Sequence, residues 1–305
     1  ALYHQQFYLF CLATFLLGIG IGFGTLYRFA AIEVCDENAR HRAISISMAG
    51  GVLAAVLGPN LAIMSQEWSD DGLYIGAFAA LIGLNVTALL LLQTIQFPKV
   101  SLSQVSEKAE PLRKIINQPN FSMAVFAAMV SYAVMNILMT ATPLAMIGCG
   151  FDFTKAAGVI EWHVLGMFVP AFFTGNLIEK FGARMMILAG GLLFVACIAV
   201  NIHGQSIWHF RLALVLLGVG WNFMFIAATS LFSQSYAAKN KAKAQAFNEF
   251  VVFGCVTITA LLSGWLESTA GWQNLNIYVL PFVVAVIVLF AFGAKKSRSL
   301  ERRTG

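Results

Sequence analysis

The sequence predicts an all-α polytopic membrane protein with nine transmembrane spans. Composition sets the class. Of 305 residues, 59% are hydrophobic and 11% charged, where soluble domains carry about 25% charged residues. Mean hydropathy is +0.78. Patterning sets the architecture: apolar stretches of the roughly 20 residues that a bilayer core requires alternate with short polar gaps. The Lys and Arg gather in every second gap.

The spans read as 7–31, 44–64, 73–97, 121–147, 156–178, 185–202, 207–232, 244–266 and 275–294. The gap after the first holds Arg40 and Arg42. The gap after the third holds Lys99, Lys108, Arg113 and Lys114. Lys180 and Arg184 follow the fifth span, and Lys239, Lys241 and Lys243 follow the seventh. The tail carries Lys295, Lys296, Arg298, Arg302 and Arg303. Only Lys155 and Arg211 lie at the opposite face, with Glu67, Asp70, Asp71, Asp152 and Glu267. The positive-inside rule makes the basic face cytoplasmic. This reading expects a multi-pass protein of the cell membrane, the bacterial inner membrane, with its C-terminus in the cytoplasm. An odd span count then puts Ala1 outside. No secretory signal is visible at Ala1, so the expectation is a chain preceded by an odd number of helices.

A net charge of +5 in short loops between apolar segments does not point to nucleic acid. Cys11, Cys35, Cys149, Cys197 and Cys255 have neither metal spacing nor a pairing pattern. Trp68, Trp208, Trp265 and Trp272 fall at the outer span ends and read as aromatic-belt anchors. Arg28 either snorkels to the basic face or pairs with Glu33. In the 98–120 loop, Glu110-Pro111-Leu112-Arg113-Lys114-Ile115-Ile116 reads either as a short surface helix with Pro111 at its first turn or as a flexible linker.

Span one recurs in span seven. Leu16-Leu17-Gly18-Ile19-Gly20 reappears as Leu216-Leu217-Gly218-Val219-Gly220, with Phe23 against Phe223. Downstream, Arg40, Arg42 and Ala43 stand against Lys241, Lys243 and Ala244, and Trp68 and Tyr74 against Trp272 and Tyr278. A repeat of one orientation is a transporter architecture. If spans one to three repeat as seven to nine, spans four to six need partners ahead of Ala1. That predicts three further helices and a parent of twelve.

Three motifs carry a resemblance to a known family. Gly175-Asn176-Leu177-Ile178-Glu179-Lys180-Phe181-Gly182-Ala183-Arg184 resembles the G-x-x-x-D/E-R/K-x-G-x-R/K gating loop of the major facilitator superfamily. Thr14 to Gly22 is similar to the R-x-x-Q-G-x-G pattern of its fourth helix, with Thr14 for the Arg and Leu17 for the Gln. Gly58-Pro59 resembles part of the fifth-helix G-x-x-x-G-P-x-x-G-G stretch, with Ala54, Ala62 and Ile63 where glycines would stand. Matched in this way, the chain covers the family's helices four to twelve. The resemblance implies that 1–97 is the second half of an N-terminal six-helix bundle and 98–120 a cytoplasmic inter-bundle loop. It makes 121–295 the C-terminal bundle and 296–305 a cytoplasmic tail.

The motif residues suggest roles. Gly175 permits close helix approach and Gly182 a tight turn. Glu179 is an anion at a helix C-terminus, where it is unfavourable without a partner. The resemblance places that partner near Arg42 to Ser45. The gating set is therefore Gly175, Glu179, Lys180, Gly182, Arg184, Gly58 and Pro59, the proline breaking its helix's hydrogen-bond ladder. Ionisable groups inside a membrane are costly and functional by default. Glu161 and His163, entering span five from the acidic face, are the proton-coupling candidates. At 100° per residue they point apart and do not face each other. The resemblance also makes spans one, four and seven line a central cavity. Asn136, Thr140, Trp221 and Asn222 are then the substrate-contact candidates, the amides as donor–acceptors and Trp as a stacking face. Helix-to-helix hydrogen bonding is the competing role for the asparagines. Asn248 and Glu249 sit one turn into span eight, as gating or capping groups.

No Walker loop, dinucleotide fingerprint, zinc motif or nucleophile–His–acid pattern is present in the sequence, so no enzyme activity or cofactor is expected. The reading is a secondary transporter that moves a small organic solute by alternating access, with a proton or other ion gradient as candidate driver. Its partners are that solute, the coupling ion and the lipid bilayer, and the expected state is a monomer. The rival is a non-transporting membrane receptor or scaffold of the same fold.

Overall fold

The computed structural model describes residues 6–66, 68, 75–95, 109–118 and 120–292. Glu67, Asp70, Asp71, Tyr74, Lys99, Lys108, the tail from 296 and Lys295 lie outside the described residues. The helices before the long loop are α1 (Phe7–Thr25), α2 (Tyr27–Glu33), α3 (Arg40–Ala49), α4 (Gly51–Gln66) and α5 (Ile75–Gln93). A short α6 (Leu112–Ile116) closes that loop. Then come α7 (Phe121–Gly148), α8 (Phe153–Phe168), α9 (Ala171–Phe181), α10 (Ala183–His203), α11 (Ile207–Ser233) and α12 (Lys241–Phe292). No strand occurs among the described residues.

Among the described residues, each predicted span falls mainly on helix. Six helical runs among the described residues are long and apolar enough to cross a bilayer, or seven when the bent pair 154–168 and 171–181 is one span. Two features separate these figures from nine. Span two is divided at Gly50, and its first piece, α3, is polar, with Arg40, His41, Arg42, Ser45 and Ser47. Spans eight and nine run together in α12. The sequence reading left a gap at 267–274, and helix fills it. Gly271 alone turns the chain, at φ 78° and ψ 165°, a conformation open to a residue without Cβ.

α11 is the centre of the C-terminal helices. It buries Leu214, Leu217, Trp221, Phe225 and Phe232 among others. α7 packs along α12, α10 along α11, and α8 crosses α11. That last crossing needs Gly218. A β-carbon there would lie 2.5 Å from the His163 carbonyl oxygen. Trp272 departs from its predicted place. It is only 4% exposed, its ring 5.6 Å from Phe210, so it fills core instead of anchoring at an interface. Trp68, Trp208 and Trp265 are exposed, as an interfacial belt requires.

α1 buries no residue, and Gly18, Gly20, Gly22 and Gly24 meet nothing within 4 Å. The two copies of the sequence repeat thus have opposite surroundings. The helices before residue 98 meet those after 120 mainly at the basic end: α3 lies against α9 and α11, and α4 against α8. α6 docks there too, with Ile115 wholly buried beside Phe29, Phe121 and Phe232.

The repeat offers a direct test. Gly218→Ala drives a methyl into backbone and should cost about 1–3 kcal/mol, read as a lower thermal midpoint in detergent. Gly18→Ala, its counterpart, should be neutral or slightly stabilising. Equal losses at both positions would contradict the packing described.

Candidate functional site

The polar and aromatic groups that look functional lie along one junction, where α8 and α9 meet α3 and α4. Its geometry begins with a break. Pro170 has no N–H to donate, and the two helices bend by 41° around it. Asn222 of α11 meets the groups freed there. Its Nδ2 donates to the Met167 carbonyl at 2.6 Å, and its Oδ1 accepts from Thr174 Oγ1 at 2.6 Å.

On the far side of the break, α3 approaches at backbone distance. A β-carbon on Gly175 would lie 2.9 Å from Arg42 Cα and 3.0 Å from Ser45 Cβ. Ser45 is buried. Its hydroxyl donates to the Ala171 carbonyl at 2.5 Å and accepts from the Gly175 amide at 2.8 Å. One turn on, Arg42 Nη2 lies 2.8 Å from Glu179 Oε2, and His41 Nδ1 hydrogen-bonds Ser230 Oγ of α11. Burial and neighbouring Arg40 hold the His41 imidazole below its ordinary pKa, against the pull of Glu179. A cavity of about 620 Å³ opens beside them, lined in part by Asn38, His41, Glu179 and Arg184.

One heptad away from the basic end, the same faces meet through an aromatic ring. A β-carbon on Gly51 would fall 2.3 Å from the Phe168 ring. Phe168 lies 6.1 Å from Trp221, which stacks on Phe225 at 5.0 Å and 14°. Tyr132 of α7 meets both edge-on, at 5.3 and 5.1 Å. The Arg28 guanidinium sits 4.7 Å from the rings of Phe225 and Phe29. It ends on Glu249 Oε1 at 2.5 Å, a carboxylate that also accepts from Thr25 and Asn248. An unbroken aromatic and ionic layer therefore joins the two groups of helices. Arg28 neither snorkels nor pairs with Glu33, because Glu249 and two rings enclose it; Glu33 pairs with Lys241 instead.

A further heptad on, Gly58 borders a pocket of about 230 Å³ with Ala77, Phe78 and Leu81 of α5. Gly58, on the Gly51 face, has nothing within 4 Å. Glu161, on the Phe168 face about 10 Å further along α8, is exposed. The Pro59 side chain lies outside the described residues.

The remaining candidates fall in three places. Asn136 donates to Val256 O and Thr259 Oγ1 of α12, at 3.2 and 3.1 Å. It and Asn222 are engaged between helices, whereas Thr140 is exposed. His163 is buried between α8 and α11, its Nδ1 2.8 Å from Leu214 O. It is not brought together with Glu161. Gly182 turns at φ 83°; Lys180 lies over the Phe181 ring and Arg184 faces Phe290. The linker end is pinned by Glu110, whose carboxyl is held below the usual range by hydrogen bonds from Lys114 and Asn240. Sequence reading missed Gly51 and Phe168, and named Ser45 only as the end of the segment facing Glu179. The heptad spacing of Gly51 with Gly58, and of Glu161, Phe168 and Gly175, was the available signal.

The family model described as Major Facilitator Superfamily matches residues 159–304. The riboflavin transporter RfnT of Brucella anthropi is 37% identical over 289 residues, covering 94% of this chain and 73% of that protein. The chain belongs to the major facilitator superfamily. It is therefore a multi-pass membrane transporter of small molecules. An uncharacterized MFS-type transporter of Bacillus subtilis, YddS, is 27% identical over 90% of this chain and 67% of its own length. The fold is shared with the E. coli fucose:proton symporter FucP, at a TM-score of 0.73 and 17% identity over 95% of this chain and 78% of that one.

The buried ion pair makes a quantitative prediction. Arg28→Ala strands the Glu249 charge and should destabilise by about 3–5 kcal/mol. Arg28→Ala with Glu249→Ala should recover part of that loss in a thermal double-mutant cycle. Strictly additive losses would mean that the two side chains do not interact.

Proposed function

We propose that this protein is a secondary transporter that carries a planar, partly aromatic solute of the riboflavin class by alternating access. The observation that carries this reading is the asymmetry of the junction. At the basic end, α3–α4 and α8–α9 are sealed by backbone contact, ion pairs and an aromatic layer. Two heptads away, Glu161 is exposed and Gly58 borders a pocket against α5, with no described contact between the two faces. The excess of Lys and Arg assigns the sealed end to the cytoplasm. The moving bodies are then 1–97 and 121–295, joined by the 98–120 loop, and the tail 296–305 is cytoplasmic.

Solute descending the open side meets Thr140 and Glu161 first and Phe168 as floor, with Trp221 stacked behind it. A ring system gains from such a surface through offset stacking. The 37% identity to a riboflavin transporter supports this class. Asn136 and Asn222 contribute by holding α12 and the α8–α9 break in place, and join the substrate contacts only if their helices part. Glu161 is the proposed carrier of the coupling proton: a carboxylate open to one side can take up a proton and release it when the cleft reverses. The gating residues Gly175, Glu179, Lys180, Gly182 and Arg184 border the sealed end, and Gly58 and Pro59 the open one.

Uptake of labelled riboflavin by proteoliposomes of the full-length protein, with and without an inward pH gradient, tests this. Accumulation should require the gradient. Glu161→Gln should abolish accumulation and leave exchange of solute down its gradient intact. Full gradient-driven uptake by that variant would remove Glu161 from coupling. No flux of riboflavin or other ring solutes would favour a receptor instead.

A further inference from the structure

We propose that His41 is a positioning residue that makes the sealed end sensitive to acid: its neutral imidazole ties α3 to α11, and protonation from the basic side favours withdrawal of α3. The proposal rests on the alternating-access reading above. Its basis is geometric. His41 lies in the first turn of α3, a helix of the first group that packs on α9 and α11 of the second. Its Nδ1 hydrogen-bonds Ser230 Oγ of α11, 189 residues away. The ring also lines the cavity of about 620 Å³ at the basic end, which gives a proton a route to it in the closed form.

The charges around the ring decide what a proton does there. Arg40 and Arg42 flank it on its own helix. Glu179 of α9 faces it, and Arg42 already holds that carboxylate at 2.8 Å. Arg184 of α10 borders the same cavity. The charges of α2, Arg28 and Glu33, are held by Glu249 and Lys241, and Asp36 and Glu37 precede α3 in the chain. α11 offers Ser230, which does not titrate. An imidazolium can still donate to the Ser230 hydroxyl, so a proton does not by itself cut the bond. It sets a third cation beside two arginines at a helix N-terminus, where positive charge is unfavourable. That cation would be half-buried, with its acidic neighbour already engaged.

Burial acts most strongly on the ring and, with Arg40, holds its pKa below the ordinary value against the pull of Glu179. Arg40 travels with His41 on α3. The burial exists only while α3 lies against α11. Withdrawal removes the burial and the weaker pull of Glu179 together, so the pKa rises toward the ordinary value of about 6.5. The open form therefore binds the proton more tightly. Closure carries no such penalty above about pH 6.5 and loses ground as the pH falls below it, so acid favours the open form.

The test uses the full-length protein with its five cysteines replaced and spin labels at Val34 and Met185, exposed positions on opposite sides of the junction. Double electron–electron resonance at about pH 7.5, about pH 6.5 and about pH 5.5 brackets the ordinary imidazole pKa and reports the closed and open populations. The open-to-closed ratio should rise by at least about threefold from the first pH to the last. His41→Gln keeps an amide for Ser230 and cannot titrate, so its ratio should stay flat; His41→Asn serves the same comparison if that variant does not fold. An equal acid response in parent and variant would overturn the role of His41 and leave alternating access standing. So would a parent ratio that is flat or falls on acidification. A single distance at every pH, unchanged by riboflavin, would overturn the alternating-access reading, and the proposal with it.

Discussion

Gly175 has room for no side chain, and much of the junction follows from that. Because α9 and α3 touch at backbone distance, Ser45 can reach into the helix and Arg42 falls beside Glu179. Beyond the breaks at Gly50 and Pro170, Gly51 of α4 meets Phe168 of α8. The contact is a steric one with polar consequences: the closer two backbones come, the more of their own amide and carbonyl groups need partners from the neighbour. Ser45 reaches the Ala171 carbonyl and the Gly175 amide from α3, and Asn222 reaches the Met167 carbonyl from α11, on either side of the break at Pro170.

The residues divide by what they answer to. Asn222, Asn136 and His163 are hydrogen-bonded between helices of the C-terminal group, and hold that group as one body. Ser45, Arg28 and Arg42 cross to the other group. Their bonds, with those of Thr25, Glu33 and His41, are among the ones that must break for the two groups to move apart. A rigid interior and a border of bonds between the groups is the distribution that the proposed rocking mechanism requires.

Much of this was legible in the sequence. The span positions followed from hydropathy, the resemblance from Gly175 to Arg184, and the separation of Glu161 from His163 from helical angle alone. Trp272 was misplaced because a tryptophan near a span end reads as interfacial, and only packing against Phe210 shows it to be core. Arg28 was misassigned because its partner lies 221 residues away, and local reasoning reaches a turn or two. Asn222 is ambiguous in principle: a membrane asparagine facing substrate and one facing a helix break have the same sequence. The corner at Gly271 was read as a loop of several residues because one positive φ leaves no compositional trace beyond a glycine.

The ion pairs across the junction differ in depth, and this gives the sealed end two tiers. Arg28 and Glu249 are 4% and 15% exposed, whereas Arg42 and Glu179 are 58% and 26% exposed. At physiological ionic strength, charges in water are screened within about 8 Å, and buried pairs much less. Mobile counter-ions therefore reach the outer pair and not the inner one. The strength of the seal has one component set by the surrounding electrolyte and another fixed by the protein interior.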